Sequence, residues 1–447
     1  MNQLVDEQTR KKQVKKAAIA SVVGTSIEWY DFFIYGTMSA LVFPQLFFPE
    51  SDPYTGILLS FSVFFIGFLA RPIGAAIFGY YGDRIGRKAT LVTSLLLMGI
   101  SSTLIGLMPT YESIGVAASF ILVFLRFMQG IGVGGEWGGS VVLSTEWSSK
   151  KRRGLMGSMT QLGVPIGLIG STAMVSLCIY LFGDSFNTWG WRIPFIISIV
   201  LVAVGLYIRL GIMESPQFLA RKKENNLAKN PVAEVMKKHP KEIALCALAG
   251  LGFQIPFYIF STFIVSYGTQ QLGLDKQFLM NALLILPIVE LFTIPIFAVL
   301  SDKIGRKKLY IAGCVVTLLF AFPFFALINT GQPGLVMLAI GLSIIGPVMA
   351  YAPQAALLAE NFPVHLRYSG ASFGYQFTSI IGGGLAPMVC VYLLERFGST
   401  SSISWYMIAA CVISIWAVAK LKDLHGQELE ENQELIIITE PKENIQV

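Results

Sequence analysis

Charge is scarce in this chain. Of 447 residues only 13% are Asp, Glu, Lys or Arg, while 54% are hydrophobic and the mean hydropathy is +0.64. This balance excludes an ordinary soluble domain and points to a polytopic membrane protein. Histidine is scarcer still: His239, His365 and His425 all fall in polar loops or the tail, so a proton-carrying group inside an apolar span has to be a carboxylate. The five cysteines, Cys178, Cys246, Cys314, Cys390 and Cys411, lack paired spacing, which favours core packing over disulfides or a metal site. With no metal-ligand cluster and no nucleophile elbow, a membrane enzyme is the remote reading, and neither a metal nor a cofactor is expected. No cleavable signal peptide is expected, because the lysine-rich start runs directly into a span too long for one.

What the chain does have is apolar runs of spanning length. The sequence predicts an all-α fold of twelve transmembrane helices at about 17–43, 55–78, 89–108, 113–146, 155–182 and 190–212, then 242–269, 277–300, 309–328, 333–360, 367–396 and 402–421. Residues 1–16 form an N-terminal segment, 17–212 and 242–421 two six-helix bundles, 213–241 a polar linker and 422–447 an acidic tail. A net charge of +6 would suit nucleic acid, but its distribution decides otherwise. Lysine and arginine crowd alternate segments, whereas the opposite side holds only Arg192, Lys276 and Arg396. This positive-inside pattern predicts both termini in the cytoplasm and excludes nucleic acid as a partner. A multi-pass protein of the cell membrane, monomeric in the bilayer, is expected.

The two halves repeat each other. Gly79-Tyr-Tyr-Gly-Asp83-Arg84-Ile85-Gly86-Arg87-Lys88 recurs as Ala298-Val-Leu-Ser-Asp302-Lys303-Ile304-Gly305-Arg306-Lys307, and Glu146 with Arg153 recurs as Glu360 with Arg367. Each copy follows an even-numbered span, as two homologous bundles require. This doubled motif resembles the signature of the major facilitator superfamily. Glu28-Trp29-Tyr30-Asp31-Phe32, the stretch from Arg126 and Gln129 to Gly138, and Glu214-Ser215-Pro216 resemble its metabolite:proton symporters. The resemblance implies permeases for shikimate, oxoglutarate, citrate or the zwitterions proline and betaine. The long C-terminal coiled coil of the osmosensing betaine/proline permeases is missing, and Ala298 and Ser301 replace two glycines of the first motif copy.

Carboxylates inside apolar spans are expensive, about 2.5–3.5 kcal/mol each on insertion scales, and mark function by default. Glu28 and Asp31 share one face of the first span, near mid-membrane. Arg71 and Glu290 each lie twelve residues before a loop-motif aspartate, about 18 Å deep at helical rise, and Arg126 is at similar depth. Asp31, with Glu28, is the expected proton-coupling group and Arg126 its switching partner, an arrangement that also resembles the proton-linked sugar porters. Arg71 and Arg126 are the expected anchors for a substrate carboxylate, since guanidinium binds carboxylate in bidentate fashion and stays charged. Glu290 is read as a partner of Arg71, a second proton site or the acceptor for a substrate cation. Gln129, Gln161, Gln254, Tyr258, Tyr351, Gln354, Tyr375 and Gln376 supply neutral polar groups to the same pocket. Gly79, Asp83, Arg84, Gly86, Arg87, Lys88, Glu136, Glu146, Arg153, Asp302, Arg306, Glu360 and Arg367 are read as a cytoplasmic gate. The function expected is symport of a small carboxylated metabolite with protons; the alternative is symport of a zwitterion.

Overall fold

In a computed structural model of the chain, residues 7–85, 87–136, 153–211, 231–362 and 366–422 are described, and among them no strand occurs. Twelve long helical segments carry the fold. The first is α1 (Glu7–Leu41). The rest of the first half is α2 (Pro53–Tyr81), α3 (Lys88–Leu107), α4 (Ala117–Gly134), α5 (Thr160–Phe186) and α6 (Arg192–Leu210). The second half is α7 (Pro240–Gln270), α8 (Lys276–Ile304), α9 (Arg306–Ile328), α10 (Pro333–Leu358), α11 (Ser369–Phe397) and α12 (Ser401–Lys420). The eleven from α2 onward are long and apolar enough to cross a membrane. Helix α1 is long enough but too polar to be among them, because Glu28 and Asp31 sit in a stretch also rich in Ser, Thr and Tyr. It is helical from Glu7, ten residues before the expected start of the span. A short helix (Tyr111–Ile114) precedes α4, and another (Pro231–Lys238) falls in the stretch read as linker.

Packing reproduces the repeat. In the first half α1 lies on α5, α2 on α4, and α3 on both α4 and α6; in the second, α7 lies on α11, α8 on α10, and α9 on both α10 and α12. Equivalent helices even begin alike. The Asp52 carboxylate accepts from the Thr55 amide (3.1 Å) at the start of α2, and Asp275 accepts from the Phe278 amide (2.8 Å) at the start of α8. Small residues set the closest crossing, because a Cβ on Gly130 or Gly134 of α4 would overlap the carbonyl oxygens of Gly67 and Arg71 on α2.

The halves meet along two seams, α2 against α11 and α5 against α8. At the end opposite the repeated loops they are also clasped: Gln270 donates to the Ala40 carbonyl (3.4 Å) and Ser176 to Asn281 (2.7 Å). Two helices lose their regular pitch near the centre. A π-turn at Ile259–Phe263 follows Pro256 in α7, and a second at Ser379–Gly384 interrupts α11. Such turns free backbone groups that an unbroken α-helix would satisfy, which a bilayer tolerates only against protein or a cavity.

Candidate functional site at the centre of the helix bundle

The aromatic run Trp29, Phe32, Tyr35 repeats at helical spacing, so α1 presents one ring per turn to α2 and α4. Between those rings lie two arginines. The Arg71 guanidinium carbon of α2 is 4.2 Å from the Phe32 ring centroid, 4.7 Å from Phe68 and 5.3 Å from Trp29. Arg126 of α4 is 4.2 Å from the same Phe32 ring, 4.1 Å from Tyr35 and 5.0 Å from Phe64. One shared ring at 4.2 Å from each limits the two guanidinium carbons to about 8 Å apart. Among the described residues, Nε and Nη2 of both arginines have no hydrogen-bond acceptor. Gly67 makes room for this, since a Cβ there would overlap Arg126.

Asp31 is reached indirectly. Arg126 donates to Gln129, Gln129 donates to the Ser102 hydroxyl of α3 (2.7 Å), and Ser102 lies against the Asp31 carboxylate. Ser198 of α6 donates to Asp31 from the other side. The expected pairing of Asp31 with Arg126 thus runs through Gln129 and Ser102 rather than through a direct ion pair. Gln129, read as a substrate ligand, is committed to that relay.

Glu28, one turn nearer the loop motifs, is buried within electrostatic reach of Arg71, Arg209 and Glu136. Glu136 is held inside its own bundle: Arg209 of α6 forms an ion pair with it and also donates to the Leu91 carbonyl, and Ser94 hydrogen-bonds Glu136 (3.4 Å). Gly24, one turn before Glu28 on the same face, clears space for that pair. Arg209 was not among the residues singled out from sequence. The signal was present, a span-internal arginine in a bundle with one more buried acid than arginine, but its position near the end of α6 made it look like an ordinary flanking cation. Ser102 and Ser198 gave no such signal.

The second half contributes mostly neutral groups. Tyr258 packs on Phe68 (5.4 Å) and lies within electrostatic reach of Arg71, Arg126, Glu28 and Tyr375. Tyr351 stacks on Phe253 (4.3 Å) and its carbonyl accepts from Gln161 of the first half (3.1 Å). Gln254 donates to Ser379 in the α11 π-turn (3.1 Å). Gln354 and Gln376 are buried, and neither amide atom of Gln354 finds a partner among the described residues. Tyr258 and Tyr375 therefore lie within reach of Arg71, and Tyr351 lies within reach of those two tyrosines and of Glu28. Glu290, fully buried on α8, does not meet Arg71; of the described residues Tyr351 is the titratable one beside it.

Of the residues read as a gate, Gly86 and Glu146 lie outside the described residues, as do the side chains of Asp83, Arg84, Arg87, Arg153 and Arg367. Arg306 forms an ion pair with Glu360 and lies 3.9 Å from Asp302. Lys88 donates to the Leu210 carbonyl at the end of α6 (2.6 Å), and its repeat counterpart Lys307 to Ala419 and Leu421 at the end of α12 (3.0 and 2.8 Å). Each loop lysine caps the last helix of its own bundle. Gly79 is buried at the end of α2.

The chain matches the profile of the Major Facilitator Superfamily over residues 24–387 and 286–436. It is 40% identical over 422 residues to the inner membrane metabolite transport protein YhjE of Escherichia coli (strain K12), covering 93% of this chain and 95% of that one. It is 39% identical over 416 residues to the shikimate transporter of the same organism, covering 92% and 95%. The crystal structure of a D-xylose-proton symporter superposes with a TM-score of 0.75 at 18% identity, covering 93% of this chain and 100% of that one, a likeness of fold.

Proposed function

The chain belongs to the Major Facilitator Superfamily and is a multi-pass membrane transporter, and from that premise we propose that it is a proton-coupled symporter importing a small carboxylated metabolite by alternating access. The observation that carries this reading is the pair of arginines on Phe32, each buried and each with guanidinium hydrogens left unpaired. Relatives named for metabolite and shikimate transport support the substrate class.

Coupling follows from charge balance. The described part of the first bundle buries three arginines, Arg71, Arg126 and Arg209, with three carboxylates, Glu28, Asp31 and Glu136. Protonating Asp31 or Glu28 leaves one guanidinium uncompensated, and a buried uncompensated charge costs several kcal/mol. A substrate carboxylate binding in bidentate fashion restores neutrality. Proton and anion thus bind as a neutral pair, and the loaded carrier rocks without moving net charge. Tyr258 and Tyr375, both within reach of Arg71, face the bound anion from the second bundle. The carrier sits in the cell membrane with both termini in the cytoplasm, as its lysine and arginine distribution favours.

The test is reconstitution in proteoliposomes with an imposed inward pH gradient and shikimate, a dicarboxylate, proline or glycine betaine outside. The expected result is carboxylate-dependent proton entry that Arg126→Lys weakens. Proton entry with proline or betaine alone supports the zwitterion alternative, and solute uptake indifferent to the gradient overturns proton coupling.

A further inference from the structure

Glu290 stands outside the charge balance just described. It lies near the middle of α8 with no measurable exposure, and neither carboxylate oxygen has a hydrogen-bond partner among the described residues. Among the described residues, the helices packed on α8 offer no counter-charge at the depth of Glu290. Within its span α10 contains no Asp, Glu, Lys or Arg, α5 has only Asp184 at the end opposite the loop motifs, and α9 has none beyond Lys308 at its motif end. Tyr351 of α10 is the titratable side chain in reach, and Tyr351 is also within electrostatic reach of Glu28 across the seam between the halves. In the first bundle the equivalent depth on the equivalent helix holds Arg71, whose charge is shared with Glu28. Among its described residues the second bundle has no such compensation for Glu290.

An ionised carboxylate with neither counter-ion nor donor is one of the most costly groups a bilayer protein can bury, and so it takes a proton instead. We propose that Glu290 is a second proton-binding site of the carrier, separate from the Asp31 and Glu28 group, and that it exchanges its proton with water in each cycle. Taking up a proton makes Glu290 neutral and lets the halves close over it; releasing that proton to water accompanies their parting. Tyr351, whose neighbours include both Glu290 and Glu28, is the side chain through which the site senses the central cluster. The exchange during transport rests on the symport reading above, whereas the occupancy of the site by a proton does not.

Infrared spectroscopy of the full-length protein in liposomes at neutral pH tests it. The carbonyl-stretch band of a protonated carboxyl group should be present, be lost in Glu290→Gln, persist in Asp31→Asn, and shift when the wild type is moved into D2O. Glu290→Asp, which keeps the group if the glutamine variant folds poorly, should move the band rather than delete it. A band unchanged in both Glu290 variants overturns the site, and a Glu290-dependent band that stays fixed in D2O overturns the exchange. Because the loaded and the empty carrier both close over a protonated Glu290, the permanently neutral Glu290→Gln should keep the proton-to-solute ratio with shikimate as probe solute but lessen the fall of uptake rate at alkaline pH, and an unchanged pH profile overturns the exchange. If shikimate is not carried at all, the substrate reading fails while the infrared result stands.

Discussion

Phe32 carries two cations on its one ring, and the size of that interaction decides what the arginines are for. Each cation–π contact is worth about 0.5–2 kcal/mol, against several kcal/mol for removing a guanidinium from water. The rings therefore hold Arg71 and Arg126 in place without satisfying them, and on the proposed symport reading a bound substrate anion makes good the difference. Replacing Arg126 by lysine removes the fork and one of two parallel bonds, about 1.5–3 kcal/mol. Apparent affinity for the carboxylate should drop on the order of ten- to a hundredfold in uptake measurements. Asp31→Asn keeps the Ser198 contact geometry but cannot cycle a proton. It should abolish uphill accumulation and preserve counterflow exchange; loss of both would make Asp31 a purely structural member. Glu136 and Arg209 behave oppositely, as a pair whose value lies in being complete. Glu136→Gln strands a buried cation and should cost about 3–5 kcal/mol, read as a lower melting temperature in detergent. Glu136→Gln with Arg209→Met should recover most of that loss.

Helix α4 shows how a single element serves both packing and chemistry. Its glycines let it touch the α2 backbone, and the same close approach delivers Arg126 to Phe32. Gly130→Val has no space to occupy without parting α2 from α4, so it should lower thermal stability. Gly67→Ala displaces only the Arg126 side chain, and it should impair uptake while leaving stability nearly unchanged. The loop lysines act at helix ends. Lys307→Gln removes a cation from the C-terminus of α12, worth about 0.3–1 kcal/mol, a shift small enough that uptake should survive it. Sequence periodicity foretold these helices well but not their irregularities. Pro256 marked α7 as strained, yet the π-turn appears three residues later, where Ser261 takes the Phe257 carbonyl (2.7 Å). Nothing in the local sequence of Ser379–Gly384 beyond its glycines announces the second.

At the scale of the whole molecule, two pseudo-equivalent bundles meet along α2–α11 and α5–α8 and are clasped at the end opposite the loop motifs. Transport by rocking requires that clasp to open. Cysteines placed at Ala40 and Gln270 and joined by a bifunctional thiol reagent should stop uptake in cells, and a cleavable reagent followed by reductant should restore it. The five native cysteines are all buried and give little background. Uptake undiminished by the cross-link would mean that these ends stay together throughout the cycle.

Composition, period and repetition are local or additive properties, and they sufficed for the membrane class, the twelve helices, the two related halves and the costly mid-span charges at Glu28, Asp31, Arg71, Arg126 and Glu290. Which charge meets which is a property of how helices distant in sequence are rotated against one another, and no spacing along the chain encodes it. Tertiary packing alone routes Arg126 to Asp31 through Gln129 and Ser102, closes Glu136 with Arg209 inside one bundle, brings Tyr258 and Tyr375 within reach of Arg71 and, among the described residues, leaves Glu290 without a hydrogen-bond partner. The physical reason is the low dielectric of the bundle interior. There a charge is defined by its few nearest neighbours, and those neighbours are set by helix packing.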